Sequence, residues 1–128
     1  MDFSALNTKV PAEKGAFLHL KHPALGTLLW DGEGADRKKV GVYVRGIESK
    51  TVQDRIKRTQ KEKLDGVDGA EEAGRAFAVS LIVSFDGVER DGKPLPATDE
   101  GIQWFFDQSD GFVEQVLKFA QDRASFFK

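Results

Sequence analysis

Apolar and polar residues alternate along the first third of the chain, with a period of two residues that is typical of β-strands. The three runs that show this pattern are residues 16–21, 27–30 and 39–46. The third run is the strongest, because Val42 and Val44 lie on one face and Tyr43 lies on the other. Pro23 and several glycines separate the runs, so we predict a small antiparallel sheet of about three strands.

Helical spacing follows the predicted sheet. Ser49 is the predicted N-cap of a charged, mostly exposed helix that runs to about Leu64 and is ended by residues 65–69. Residues 70–85 are much more apolar and are predicted to form a central, buried helix. The second half of this stretch, VSLIVSF, also fits a strand, and periodicity does not separate the two. We favour the helix because the Ala-rich, Glu-led first half propagates into it.

Two short amphipathic helices are predicted near the C-terminal end, after a turn-rich stretch over residues 86–97. The first is capped by Thr98 and ends near Phe106, and the second begins near Ser109. Neighbouring helix positions lie about 100° apart, so we expect that such short helices leave some aromatic area exposed. The rings concerned are Trp104, Phe105, Phe106, Phe112, Phe126 and Phe127.

Together the elements predict an α+β fold, in which a small N-terminal antiparallel sheet of about three strands packs with about four α-helices. The 128 residues fit one domain, which at this size buries about two thirds of the surface of the unfolded chain. We assign residues 1–15 to a loosely ordered N-terminal arm, because Pro11 and a following glycine interrupt regular structure. Residues 16–128 form the domain, with the sheet in 16–46 and the helices in 49–127.

Composition and charge narrow the classes of function. The chain has no cysteine, so disulfides and thiol chemistry are excluded. It lacks both an apolar run of the ~20 residues that a membrane span needs and a signal-peptide pattern, so we expect a cytoplasmic protein. The formal net charge of −2 argues against nucleic acid as the main partner. The charges are segregated, since residues 49–63 hold six basic and two acidic side chains, whereas residues 99–128 hold six acidic and three basic.

Candidate catalytic and metal-binding chemistry is sparse. The two histidines, His19 and His22, lie three positions apart on a predicted strand and point to opposite faces, so they are poor joint metal ligands. None of the serines has the G-x-S-x-G context of a hydrolase nucleophile. Paired carboxylates occur at predicted helix N-termini, where the helix dipole explains them. We therefore predict a protein that is not an enzyme and has no catalytic residue, cofactor or metal site.

Three stretches of the chain carry motifs that occur together, in the same order, in one family. The first is FLHLKHPALGTL over residues 17–28, and the second is VYVRGIESKTVQDRIKR over residues 42–58. The third, over residues 85–127, has the form dG-x-x-x-dGkplp-x-T followed by a helix and a terminal helix ending F-x-x-D-x-x-x-F. Together they resemble the tail assembly chaperones of long-tailed bacteriophages and related prophages. Phe85 departs from the pattern, because many relatives place Trp there.

The resemblance implies a non-enzymatic role. Such chaperones bind the hydrophobic, elongated tape measure protein, keep it soluble and recruit tail tube subunits to it. In this hypothesis the C-terminal helices form a client groove or a self-association face, and the basic helix contacts an acidic region of a neighbouring copy or of a tube subunit. The partner-binding residues are then Trp104, Phe105, Phe112, Val116, Phe119, Arg55, Arg58 and Lys61.

Two other functions stay open from the sequence. A structural virion component, such as a minor tail or head–tail joining protein, would remain in the particle, whereas a chaperone would leave it. A small nucleic-acid-binding regulator would use the basic helix of residues 49–63, and its binding would weaken with salt. Self-association of the chain as a homo-oligomer is also open.

Overall fold

The computed structural model describes residues 1–64 and 69–127, so most of the predicted helix terminator, residues 65–69, lies outside the described part of the chain. The helices are α1 (Lys9–Lys14), α2 (Lys50–Leu64), α3 (Ala70–Ser80), α4 (Asp99–Asp107) and α5 (Asp110–Gln121). The strands are β1 (Ala16–His19), β2 (Trp30–Asp31), β3 (Lys38–Lys39), β4 (Gly41–Val44), β5 (Ile82–Asp86), β6 (Glu89–Arg90) and β7 (Lys93–Pro94). Short 3₁₀ turns lie at Phe3–Leu6, Gly34–Asp36 and Arg123–Ser125.

The central sheet joins strands that lie far apart in the sequence. Its strand order is β1-β4-β5, and both neighbouring pairs are antiparallel. In this register, Tyr43 of β4 lies opposite Phe17 of β1 and opposite Ser84 of β5. The α+β class and the three-stranded antiparallel sheet are confirmed, with β5 as the third strand.

The expected continuous helix over residues 70–85 is wrong in its second half. α3 ends at Ser80, and the chain enters β5 two residues later. The guanidinium group of Arg45 donates to the backbone oxygens of Ser80 and Ile82, at 3.0 and 3.1 Å, which satisfies carbonyls where the helix ends. Ile82 is β-branched and buried opposite Val44, so pairing in the sheet outweighs the helical propensity of the preceding alanines.

Residues 27–30, predicted as a strand of the main sheet, pair elsewhere. Leu28 forms a bridge with Lys21, just beyond β1, and Trp30 of β2 pairs with Lys39 of β3. Glycines with positive φ on both sides of this stretch fold the chain back on itself and favour these local partners. The extended conformation was therefore predicted correctly, and its place in the sheet was not.

The core lies between one face of the central sheet and helices α2 to α5. The buried apolar residues in it are Leu20, Val42, Val44, Val52, Leu81, Ile82, Leu95, Ile102, Phe105, Val116 and Ala120. Burying each large side chain of this kind contributes roughly 1.5–3 kcal/mol before the entropy cost of ordering it. Packing on this face therefore decides which sides of the helices turn inward.

Three helix starts lie where the sequence predicts them. The side-chain oxygens of Ser49, Thr98 and Ser109 each accept a backbone N–H of the first turn at 3.1 Å, at the start of α2, α4 and α5. None of the described helices is both long enough and apolar enough to cross a membrane.

The predicted irregular arm contains a helix. Pro11 lies in the first turn of α1, where a missing backbone N–H costs no intrahelical hydrogen bond, and Gly15 ends the helix with a φ of +85°. Ala12 is buried, and its backbone oxygen accepts the N–H of Gly46 at 2.9 Å. The prediction of a loosely ordered arm is therefore wrong for residues 9–14, which dock on the body.

Candidate interaction surfaces

Most aromatic side chains of the C-terminal region pack into the body of the protein. Phe105 is 2% exposed, and its ring stacks on that of Phe112 with centroids 5.0 Å apart. Phe126 is buried and meets Phe119 edge to face at 5.3 Å, whereas Phe127 remains 47% exposed. Of the rings expected at this surface, Phe127 is exposed, and Trp104, Phe106 and Phe112 are half-buried.

The adjacent rings of Phe105 and Phe106 contact each other, with centroids 5.2 Å apart, and also pack on different elements. Phe105 faces the sheet and contacts Phe85, whereas Phe106 lies next to α3 and lines a groove with Ala78. Of the predicted partner-binding residues, Phe105 and Val116 are core residues, so the prediction that they contact a partner is wrong for this conformation. The predicted residues that remain half-buried are Trp104, Phe112 and Phe119.

The predicted basic surface of α2 divides into an internal and an exposed part. Arg55 is half-buried, and its Nη2 atom donates to the Glu62 carboxylate at 3.3 Å and to the Thr59 hydroxyl at 3.4 Å. Arg58 and Lys61 are exposed and form no ion pair with a described residue. Arg55 therefore stabilises its own helix, whereas Arg58 and Lys61 are accessible to a partner.

The face of the central sheet opposite the helices carries aromatic side chains. Phe17 of β1 and Tyr43 of β4 lie in register, with ring centroids 5.3 Å apart. His19 follows on β1, with its ring 6.5 Å from that of Phe17, and meets Trp30 edge to face at 4.7 Å. Among the described residues, the hydrophobic core cluster includes none of these four. We call Phe17, His19, Trp30 and Tyr43 the aromatic strip.

The aromatic strip has exposed apolar area and a charged edge. Tyr43 is 39% exposed. Leu28 is 45% exposed and pairs with the residue two positions past His19, so it lies on the same face as the strip. The Arg37 guanidinium group stacks over the Trp30 ring at 3.9 Å. This surface offers large apolar anchors between cationic side chains, which suits contact with a polypeptide.

Both histidines make hydrogen bonds inside the chain. The Nε2 atom of His19 lies 2.7 Å from the backbone oxygen of Leu29. The Nδ1 atom of His22 accepts the backbone N–H groups of Ala24 and Leu25, each at 3.1 Å, and so closes a turn. The part of the chain that the structure describes contains no group of three or more His, Cys, Asp or Glu side chains that could hold a metal ion.

A carboxylate links α1 to the start of α2. Glu13 accepts the backbone N–H of Thr51 at 3.0 Å and also its hydroxyl group, so it caps α2 from outside that helix. Burial alone would raise the pKa of the Glu13 carboxyl group, but the hydrogen bonds from Thr51 outweigh this effect and hold the pKa below its ordinary value. The charged form of Glu13 is therefore part of the folded structure.

Comparison with known proteins gives no information about the function of this chain. No protein-family model, curated protein or solved structure matches this chain. The resemblance to tail assembly chaperones therefore rests on the three motifs in the sequence, and the aromatic strip is a separate observation.

The aromatic strip was not predicted from the sequence, although part of its signal is there. Phe17, His19 and Tyr43 occupy the positions of two predicted strands where a half-exposed sheet ordinarily has polar side chains. Apolar or aromatic residues on both faces of a short strand indicate that the second face also packs against another surface. The contribution of Trp30 depends on the pairing of β2 with β3, which the local pattern does not give.

Proposed function

We propose that this chain is a non-enzymatic tail assembly chaperone of a long-tailed bacteriophage or prophage, acting in the cytoplasm of the host cell. It binds the tape measure protein and recruits tail tube subunits to it. The observation that carries the proposal is the aromatic strip, which places rings on the open face of a sheet in a chain with 31% charged residues. The three motifs that resemble the chaperone family supply the identity of the client.

A chaperone for a long apolar helix needs apolar anchors that do not bring the chaperone itself out of solution. Tyr43 and Leu28 supply such anchors on one face. Lys21, Arg37 and Lys39 are exposed around them and keep the surface hydrated. A contact built on a few anchors is tight enough to shield the client and weak enough to be displaced as tube subunits arrive.

The proposed client site differs from the one that the sequence predicted. Phe105 and Val116 are core residues, so the client contact moves from the C-terminal helices to the aromatic strip. Arg58 and Lys61 keep their predicted role as a contact for an acidic region of a tube subunit, because both are exposed cations on α2.

Co-expression with the tape measure protein tests the proposal. We expect the wild-type chain to keep the tape measure protein in the soluble fraction of the lysate, and a Tyr43→Ser, Leu28→Ser double variant to lose most of this effect. Both side chains are exposed and lie outside the core, so we expect the double variant to fold like the wild type. The measurement is the share of the tape measure protein in the supernatant after centrifugation.

Phe127→Ser is the matched control for this experiment. It also removes an exposed ring, but one that lies outside the aromatic strip, and we expect it to act like the wild type. Circular dichroism of the purified variants checks that all three proteins are folded. Equal precipitation of the tape measure protein with and without the wild-type chain would refute the chaperone function. Full activity of the double variant would refute the strip as the client site.

A further inference from the structure

A cleft separates α1 from the start of α2. Its volume of about 740 Å³ lies within the range of about 300–1,000 Å³ that is typical of ligand clefts. Four exposed lysines line it; they are Lys9, Lys14, Lys50 and Lys57. The four residues of the aromatic strip do not line it, so the cleft is a surface separate from the proposed client site.

Hydrogen bonds at both ends of α1 hold this wall of the cleft in place. The Thr8 hydroxyl, just before the helix, donates to the Glu48 carboxylate at 3.2 Å. Glu13, near the end of the helix, accepts the backbone N–H of Thr51 at 3.0 Å. The fold itself therefore sets the spacing of the two walls, and such preorganisation lowers the entropy cost of binding a ligand.

The carboxylates that line the cleft all have partners within the chain. Glu13 and Glu48 accept the hydrogen bonds that hold α1. Asp54 forms an ion pair with Lys50 at 2.9 Å, one turn away on α2. The other lysines on the cleft form no ion pair with a described residue; they are Lys9, Lys14 and Lys57. The cleft therefore has an excess of unpaired positive charge, which an acidic partner complements.

The unpaired positive charges lie on both walls of the cleft. Lys9 and Lys14 belong to α1, whereas Lys57 belongs to α2. Consecutive side chains of an extended peptide point to opposite sides, so neighbouring acidic residues reach both walls. A lysine ammonium group is a point charge on a flexible stem, so it pairs with a carboxylate without requiring one fixed orientation. A run of consecutive acidic residues therefore matches this arrangement of charge.

The length of the cleft along α2 sets the length of the ligand. Lys50 and Lys57 are seven positions apart, so they lie on one side of the helix and about 10 Å apart along its axis. An extended chain rises about 3.3 Å per residue and covers this distance in about four residues. Val10 also lines the cleft and is 55% exposed, so it offers an apolar contact to the same segment.

We propose that the cleft between α1 and α2 binds an extended acidic segment of another protein. The segment lies along α2, and its successive Asp or Glu side chains pair alternately with the lysines of α1 and with Lys57. A peptide is favoured over a nucleic acid because none of the described residues that line the cleft is aromatic, so bases would have no ring to stack on. The inference goes beyond the proposed function and requires neither the tape measure protein nor a tube subunit.

Fluorescence anisotropy with the purified full chain tests the proposal. The probe is a fluorescein-labelled peptide with six consecutive glutamates between Gly-Ser flanks, and its counterpart has six glutamines instead. We expect saturable binding of the glutamate peptide alone. This binding should weaken with salt, because the screening length falls from about 30 Å at 0.01 M to about 8 Å at 0.15 M. Equal binding of both peptides, or no binding of the glutamate peptide at low salt, would overturn the proposal.

Neutralising the three unpaired lysines of the cleft gives a sharper result. An exposed ion pair changes affinity by up to about fivefold, so we expect the triple variant Lys9→Gln, Lys14→Gln, Lys57→Gln to bind the glutamate peptide about tenfold more weakly. The matched control, Lys38→Gln, Lys93→Gln, Lys118→Gln, removes the same charge from exposed lysines that do not line the cleft, and it should bind like the wild type. Circular dichroism checks that both variants are folded. Equal weakening in both variants would mean that only net charge matters and would contradict the site.

Two further measurements locate the ligand and identify its class. In amide NMR spectra of the wild type, the glutamate peptide should cause its largest shifts at residues 9–14 and 50–57, which form the two walls. Largest shifts elsewhere would place the binding outside the cleft and contradict the proposal. A labelled oligothymidylate with six phosphates carries the same charge as the peptide and should bind more weakly. Tighter binding of the oligothymidylate through the same lysines would refute an acidic peptide as the occupant.

Discussion

Glu13 joins two parts of the chain that no local sequence pattern connects. It accepts the backbone N–H of Thr51, 38 positions later, and the Ser49 hydroxyl accepts that of Val52, so the two side chains satisfy two N–H groups in the first turn of α2. The Ser49 cap was predictable, because a capping serine stands next to the helix that it caps. The Glu13 cap was not predictable, because it requires α1 to be docked first, and the start and stop signals of so short a helix resemble those of a loop.

The capping role of Glu13 predicts a dependence of stability on pH. The pKa of Glu13 is lowered in the folded protein, so its contribution is present above the ordinary glutamate pKa and is lost as the pH falls through the lowered value. We expect the free energy of unfolding of the wild type to fall more steeply than that of Glu13→Gln between about pH 5 and about pH 3. Urea denaturation at a series of pH values measures both curves.

Two other carboxylates with lowered pKa values are common to the two proteins in this comparison. Hydrogen bonds from Ser4 and Lys50 also lower the pKa values of Asp2 and Asp54, respectively. Both groups are present in the wild type and in the Glu13→Gln variant, so the difference between the two curves reports Glu13 and its electrostatic interaction with Lys50, the partner of Asp54. Parallel curves would show that the Glu13 carboxylate does not stabilise the fold.

The elements divide into those that local signals specify and those that tertiary contacts select. Caps and apolar spacing specify the starts of α2, α4 and α5, and these were predicted. The stretch VSLIVSF fits a helix and a strand equally, and the choice depends on β4, which lies far away in the sequence. In the folded protein β5 pairs with the strand that holds Val42 and Val44. Arg45 donates to the backbone oxygens of Ser80 and Ile82, where α3 ends and β5 begins.

Helices α4 and α5 are predicted to contribute to stability through their rings. Phe105→Ala removes a ring that contacts the sheet and α5, so we expect it to lower the free energy of unfolding by about 3–5 kcal/mol. Phe127→Ala removes an exposed ring from the same region, and we expect a change of at most about 0.5 kcal/mol. Chemical denaturation of both variants measures the difference. Similar, small losses for both would mean that the C-terminal rings are not core residues.

The molecule as a whole has one covered and one open sheet face. The C-terminal helices cover the face of Val42 and Val44, which leaves Phe17 and Tyr43 on the other side. The sequence places these rings on strands. Which face of the sheet the helices cover depends on the packing of all the elements, and no local pattern gives it. For this reason the client site predicted from the sequence lies in the ring-rich C-terminal region, whereas the site that we propose from the structure lies on the sheet.

Site-specific photocrosslinking from the open sheet face tests the central claim most directly. A photoreactive phenylalanine analogue replaces Tyr43 in one protein and Phe127 in another, and each is co-expressed with the tape measure protein and irradiated. We predict crosslinks to the tape measure protein from position 43 and few or none from position 127, because Tyr43 lies in the aromatic strip and Phe127 outside it. Crosslinks from position 127 alone, or from neither position while the tape measure protein stays soluble, would contradict the account.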